Sequence, residues 1–356
     1  MIQKIKDRVS SGEVKTLAWP IVVVLWTASK FYRLGQAFSN PQKSAPVKVP
    51  VPVISVGNLT VGGSGKTPMV IELARFFEKR GRKVGIVSSG YGRKNNVDIC
   101  GTGIHIRKRS LEDVGDEVMM MAHVLPEVHF AVSRKKSAAA ELISRQAKVD
   151  LVIVDDGFQH RRLERDFNLL LIDAGIDLRK EGLLPLGRMR EPIEAMERAD
   201  GMVLTKVNLA ENNHDFRDWL GSRYGEKILA EVEFHNDEII CSSEHFDMES
   251  IGKKSVYFFA GIASLEPLLR YVKMKLPNIS GSRRFADHYR YRLDDVVRIK
   301  ADLDRLNPDY AITTHKDYVK LRYFDFGRAI YYLNLRLQYR SGEKAFFDRL
   351  LRAVEG

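Results

Sequence analysis

The stretch GNLTVGGSGKT, residues 57–67, decides the fold. It follows the apolar run Val53–Val56 and precedes a segment in which Met69, Val70, Leu73, Ala74, Phe76 and Phe77 fall on one helical face, with Gly81 as a stop. Strand, glycine-rich loop and helix, in that order, are the context of a phosphate-binding loop. Glycines let backbone N–H groups curl around phosphate oxygens, and the helix N-terminus adds positive potential. The expected nucleotide-binding residues are Thr60, Val61, Gly62, Gly63, Ser64, Gly65, Lys66 and Thr67. Lys66 is placed to reach the β- and γ-phosphates of ATP, and the Thr67 hydroxyl to ligate Mg²⁺. One position departs from the usual pattern. Thr60 stands where glycine is customary, so Gly62 and Gly63 are expected to supply the flexibility.

Outward from this loop, apolar runs recur at Val84–Ser88, Val128–Val132, Leu151–Val154, Leu169–Ile172 and Met202–Leu204, with helical patterns between several of them. That alternation predicts a mostly parallel sheet covered on both sides, an α/β fold of the P-loop NTPase type. A polar stretch, Asn208 to Arg223, ends this part. A second, smaller α/β domain follows, with strands expected at Val256–Ala260, Tyr310–Thr313 and Ala329–Leu333 and helices at Leu265–Lys275 and Asp294–Leu306. A helix at Glu343–Ala353 closes the chain. The expected domains are 1–35, an N-terminal membrane-associating helix; 36–228, the kinase core; 229–335, the smaller domain; and 336–356, a C-terminal helix.

With 356 residues, 44% of them hydrophobic, the chain can bury a sizeable core and has room for two domains. Its formal charge of +11 suits nucleic acid, anionic lipid or an acidic substrate without choosing among them. Zinc-finger spacing and RNA-recognition aromatics are lacking, so nucleic acid is not expected as a partner. Cys100 and Cys241 form no metal-type pair and read as reduced thiols.

Lys4, Lys6, Arg8 and Lys15 precede an apolar run, Thr16 to Ser29, that holds Trp19 and Trp26, and Lys30 and Arg33 follow it. The run is shorter than the ~20 residues that span hydrocarbon. No small-residue cleavage site follows, as a signal peptide would need. A helix lying in the membrane interface fits the pattern, and a buried core helix is the rival. Pro41, Pro46, Pro50 and Pro52 make Asn40–Pro52 an extended connector.

Other segments carry candidate chemistry. LVIVDDGFQH, 151–160, is an apolar strand ending in two carboxylates, and Asp155 or Asp156 is expected to hold Mg²⁺ beside the loop, against a capping role. DVGDE, 113–117, either caps the helix Val118–Val124 or presents Asp116 to a substrate hydroxyl. DHYRY, 287–291, either forms an Asp–His acid–base pair or is plain surface. Arg188, Arg190 and Glu191, in LGRMREP, either meet phosphate or form a solvated charge cluster.

Taken together, GNLTVGGSGKTP, SSGYGR (88–93), VGDE (114–117), DDGFQHRRLERD (155–166), LLPLGRMREP (183–192), FAGIA (259–263) and DHY (287–289) resemble, in this order, the tetraacyldisaccharide 4'-kinase family. The resemblance runs from about residue 15 into the C-terminal domain. It implies a P-loop domain hinged to a smaller one, and ATP-dependent phosphorylation of the 4'-hydroxyl of a tetraacyldisaccharide 1-phosphate lipid in lipid A synthesis. It further implies Asp116 as acid–base residue, His288 beside Asp287 as its partner, and Glu117 with Asp155 and Asp156 as metal-side carboxylates. Tyr91, His160 and Arg190 match positions near nucleotide or acceptor. The implied partners are the acylated disaccharide lipid and a membrane surface, the cytoplasmic face of the bacterial inner membrane, with no obligatory protein partner. Two positions depart from the family: Ser89 replaces an Arg, and Thr314, His315, Lys316 and Asp317 replace Thr-Glu-Lys-Asp. Readings from other classes are a membrane-associated ATPase switch of the partitioning or targeting type and a nucleic-acid-binding ATPase.

Overall fold

The strand Val53–Asn58 leads into the loop and is buried along its whole length. It pairs in parallel with Leu151–Asp155 on one side and Phe167–Asp173 on the other. Strands covered on both faces are mostly apolar on both, which is why these runs show no strict alternation, although Ser55, Asn58, Asn168 and Asp155 are buried among them. The structure, a computed structural model, describes residues 19–38, 45–210, 213–241, 244–262 and 265–355. The basic residues Lys4, Lys6, Arg8 and Lys15, the start of the connector at Asn40, and Ala263 lie outside the described residues.

The chain divides into two compact units. The first comprises Met1–Val70, Leu151–Glu233 and Tyr339–Gly356. Its parallel sheet continues from Phe167–Asp173 to Gly201–Thr205, and on to the start of the strand Ile228–Cys241. Leu170, Ile172, Met202 and Leu204 bury one face against Met196, Phe216 and Leu220. Phe216, Leu220 and Tyr224 come from the helix His214–Tyr224. The polar stretch expected there is this helix: it buries Phe216, Leu220 and Tyr224 with Trp219 packed beside them, and its other residues are polar apart from Gly221.

The second unit comprises Ile71–Asp150 and Phe234–Gln338. Val84–Ser88 pairs in parallel with His129–Val132, which pairs antiparallel with Ile99–Thr102. Val256–Gly261 pairs in parallel with Ile279–Phe285 and with Tyr310–Thr314, and Tyr310–Thr314 with Ile330–Ser341. Phe258, Val272, Leu276 and Ile312 fill one face of these strands, and Phe259, Ile299, Leu303 and Leu321 the other. The expected α/β architecture with a mostly parallel sheet is what the molecule has. Ile279–Phe285 went unread because its sequence, ISGSRRF, is half polar, as suits a strand only partly covered.

Helix starts also shifted. The helix expected from Pro68 begins at Lys66, so Pro68 falls in the first turn, where its missing N–H costs nothing. The helix expected from Val118 begins at Asp116, after Gly115.

Candidate active site

Two groups of side chains are built inside the two units, one in each. In the first unit, Gly62 and Gly65 adopt φ of 118° and 89°, and a Cβ added at Gly62 would meet nothing within 4 Å. The left-handed turns therefore fall at Gly62 and Gly65, not at the expected pair Gly62 and Gly63. Thr60 is tolerated because its backbone is extended: it bridges to Met189, and its carbonyl accepts the Asn58 side-chain amide at 2.7 Å. The loop is tied down at Val61, whose N–H donates to the Arg188 carbonyl, and at Ser64, whose carbonyl accepts the Thr205 hydroxyl. The helix Lys66–Glu78 carries no acidic residue in its first turn, so nothing competes for an anion at its N-terminus.

Lys66 Nζ donates to Asn58 Oδ1 at 3.1 Å and stands 3.5 Å from Asp156 Oδ1. Asp156 has φ of 52° and receives both oxygens' worth of contact from Arg190, at 2.9 and 2.7 Å. Asp155, the last residue of its strand, is buried and lies in register with Val56 beside the loop strand. Arg190 is thus a partner of Asp156. Arg188 pairs instead with Glu181, and Glu191 is buried between Arg161 and Arg198, so the LGRMREP charges do not form a solvated cluster. His160 is exposed, its carbonyl accepting from Arg165.

In the second unit, Asp116 is 8% exposed and its Oδ2 lies 3.0 Å from His288 Nδ1, across 172 residues of chain. Gly115 makes the N-cap of the Asp116 helix with φ of 83°, and no side chain caps it. A Cβ there would lie 2.7 Å from the Tyr91 carbonyl oxygen. Asp116 occupies the first helical position, with Oδ1 accepting the Glu117 N–H at 3.1 Å. It does not cap in the usual way, through an N-cap side chain. Tyr91 sets its ring edge-on to His288 at 5.3 Å. Asp287 Oδ1 accepts the His288 N–H at 2.9 Å and lies 4.0 Å from its Nε2.

Two lysines that the sequence reading did not assign complete this centre. Lys320, buried, places Nζ 3.4 Å from Asp116 Oδ2 and 3.4 Å from Asp317 Oδ1. Lys316 Nζ lies 3.1 Å from His288 Nε2, 3.1 Å from Asp287 Oδ1 and 3.8 Å from Asp116 Oδ2. Both project from the helix His315–Leu321, one turn apart. That helix is capped by Thr314, whose hydroxyl accepts the Asp317 N–H. Fully buried Asp317 accepts the Gly261 N–H at 2.7 Å, locking the helix to the end of the Val256–Gly261 strand. The Thr-x-x-Asp spacing was the available signal. Behind it, His315 Nε2 faces His123 Nδ1 at 3.1 Å and stacks on Tyr332 at 4.2 Å. Burial holds His315 well below its usual range, and burial, then Arg107 and Arg322, lower His123 to about 4.

Among the described residues no three His, Cys, Asp or Glu side chains gather as a metal cage. A loop threonine beside one or two carboxylates still fits Mg²⁺, which binds through few protein oxygens plus substrate phosphates. Thr67, Asp155 and Asp156 supply that donor set in the first unit, whereas Glu117 sits beside Asp116 in the second.

The model of the family described as tetraacyldisaccharide-1-P 4'-kinase matches residues 17–355. A tetraacyldisaccharide 4'-kinase of Bdellovibrio bacteriovorus is 32% identical over 309 residues, covering 86% of this chain and 90% of that one. One of Geobacter metallireducens is 35% identical over 274 residues, covering 76% and 78%. The crystal structure of LpxK from Aquifex aeolicus in complex with ATP superposes with a TM-score of 0.75 at 29% identity, over 94% of this chain and 99% of that one. Sequence, fold and a phosphate-binding loop of this form agree, and the chain belongs to the tetraacyldisaccharide-1-P 4'-kinase family, enzymes of lipid A biosynthesis that use ATP and Mg²⁺ to phosphorylate the 4'-hydroxyl of a tetraacyldisaccharide 1-phosphate lipid.

Proposed function

We propose that Asp116 is the base that takes the proton from the acceptor hydroxyl, and that the loop Thr60–Thr67 holds the phosphates of the donor. The carrying observation is the 3.0 Å contact of Asp116 with His288. A buried carboxylate with a directed N–H partner is oriented and ready to accept. As the hydroxyl oxygen bonds to the γ-phosphorus, its proton passes to Asp116, and the bond from that phosphorus to the bridging oxygen breaks. Phosphoryl transfer asks the protein mainly for positioning and charge neutralisation. Lys66 supplies one positive charge, and Arg190 holds Asp156 in place beside it. Mg²⁺, when bound, neutralises charge on the β- and γ-oxygens; Thr67, Asp155 and Asp156 would hold it, and Glu117 joins that set on the resemblance alone. Tyr91, His160 and Arg190 are assigned to the neighbourhood of acceptor or nucleotide on the same basis, and Asp287 to the acid–base pair with His288.

The acceptor is an acylated lipid, so the enzyme must visit a bilayer. Residues 1–35 are proposed to dock it on the cytoplasmic face of the inner membrane. No described helix is long and apolar enough to cross a membrane. In support of docking, the helix Trp19–Phe38 exposes Val24, Trp26 and Phe31, at 65%, 52% and 69%, which a core helix would bury.

The test is transfer of radiolabelled γ-phosphate to a disaccharide-lipid precursor in detergent micelles, with Asp116→Ala and His288→Ala beside the parent. Loss of transfer with intact folding is expected. Undiminished transfer by Asp116→Ala would remove Asp116 from the chemistry.

A further inference from the structure

We propose that Lys316 is a positioning residue that fixes the tautomer of His288, so that its ring donates from Nδ1 to Asp116 and does not itself act as the base. This rests on the reading of Asp116 and His288 as the acid–base centre.

Donors and acceptors around the ring decide where its proton sits. A lysine ammonium has three N–H donors and no acceptor. Lys316 Nζ lies 3.1 Å from His288 Nε2, so that nitrogen must offer its lone pair. The proton of the neutral ring then sits on Nδ1, 3.0 Å from Asp116 Oδ2, a carboxylate oxygen that only accepts. Both neighbours select the same tautomer. The opposite one would point Nε2–H at the ammonium and set the Nδ1 lone pair against the carboxylate, losing both bonds. A doubly protonated ring would face Lys316 with a second donor. Asp287 Oδ1, 4.0 Å from Nε2, is too far to accept from it.

The geometry is held from both sides. His288 adopts φ of 54°, an uncommon conformation for a residue with a side chain, and its N–H is tied to Asp287. Lys316 rides on a helix locked by buried Asp317 to Gly261 and Thr314. It also pairs with Asp287 at 3.1 Å, which directs its stem toward the ring. Lys320 has a different place: it pairs with Asp116 and with Asp317. With Nε2 occupied, His288 has no free lone pair, and the proton from the acceptor goes to Asp116.

The experiment uses the full chain in detergent, with ¹⁵N-labelled histidine rings and long-range ¹H–¹⁵N correlation; His288→Gln identifies the His288 signals. The parent is expected to show a protonated Nδ1 and a bare Nε2. Lys316→Met should shift His288 toward the Nε2–H or a mixed form and lower kcat by roughly 10²-fold, the lower end of a general base's contribution, with KM for ATP unchanged. Lys316→Arg, whose guanidinium also only donates, should keep the tautomer and recover most of kcat. An Nε2–H ring in the parent, or an unchanged ring in Lys316→Met, overturns the proposal. Failure of the underlying reading is separate: His288→Gln with parental kcat would remove the pair from catalysis whatever the tautomer.

Discussion

Arg190 grips both carboxylate oxygens of Asp156, at 2.9 and 2.7 Å, while Lys66 Nζ stands 3.5 Å from one of them. Asp156 therefore has a cation of its own that does not depend on the loop lysine. Lys66 is left with contacts to Asn58 and Asp156 at the mouth of the helix.

Lys66→Ala should lower turnover by orders of magnitude, since one preorganised charge removed from a transition state commonly costs ~3–4 kcal/mol. Folding should survive, because Arg190 still satisfies Asp156. Phosphate transfer at saturating ATP and a thermal melt check both halves. Near-parental turnover of the folded variant would end the assignment.

Asp116→Ala should reduce kcat by ~10²–10⁴-fold and leave ATP binding close to normal. Asp116→Asn should be nearly as inactive: it keeps shape and polarity but cannot take the proton. Gly115 already occupies the N-cap, so a good helix-starting residue at 116 should not rescue activity. The double variant with His288→Ala should cost less than the product of the singles, as for groups acting together.

Gly115→Ala should destabilise the chain by roughly 1–3 kcal/mol, through a φ of 83° that side chains rarely adopt and a 2.7 Å approach to the Tyr91 carbonyl. It should also lower kcat, because Asp116 is the next residue. Calorimetry with kinetics on the same preparation tests it; unchanged stability would mean the loop yields easily.

His123 and His315 make stability depend on pH. Both are held below the ordinary value of about 6.5 by burial, His123 at about 4, so the unfolded chain binds protons that the folded chain refuses. Their neutral state favours folding fully above about pH 6.5, and that advantage is lost as the pH falls toward 4. For the half-buried His123 the loss is roughly 1–2 kcal/mol. Melting temperature should drop across this window, and His123→Phe should flatten the slope. A variant with an unaltered acid limb would exclude His123 as a source.

Trp26→Ser with Phe31→Ser should release the protein from anionic vesicles and raise the apparent KM for lipid in bilayers, with ATP affinity unchanged. High salt should weaken vesicle binding of the parent only in part, since screening removes the ionic share and leaves apolar burial. Tyr32 on the same helix donates to the Arg190 carbonyl at 3.0 Å, so a full deletion of 1–35 also removes a tie to the LGRMREP segment. The paired point variant avoids that. Parental vesicle binding by a folded double variant would defeat docking through this face.

The phosphate-binding loop was legible in the sequence because it is local: eleven consecutive residues supply the glycine turns, the lysine and the helix start, and the flanking apolar runs announce the parallel sheet. The mostly apolar strands Val53–Asn58 and Leu151–Asp155 read correctly for the same reason. The long strand Ile228–Cys241 and the helix Lys136–Gln146 did not, since partial burial dilutes their periodicity. Resemblance to the family named Asp116 and His288, but spacing alone left Asp116 between cap and base. Only tertiary structure decided what stands around them. Asp116, His288, Lys316 and Lys320 come from three separate segments, brought together because Asp317 anchors one helix to Gly261 and Gly115 permits the turn into another. A contact across 172 residues depends on how sheets and helices pack, and no periodicity along the chain encodes it.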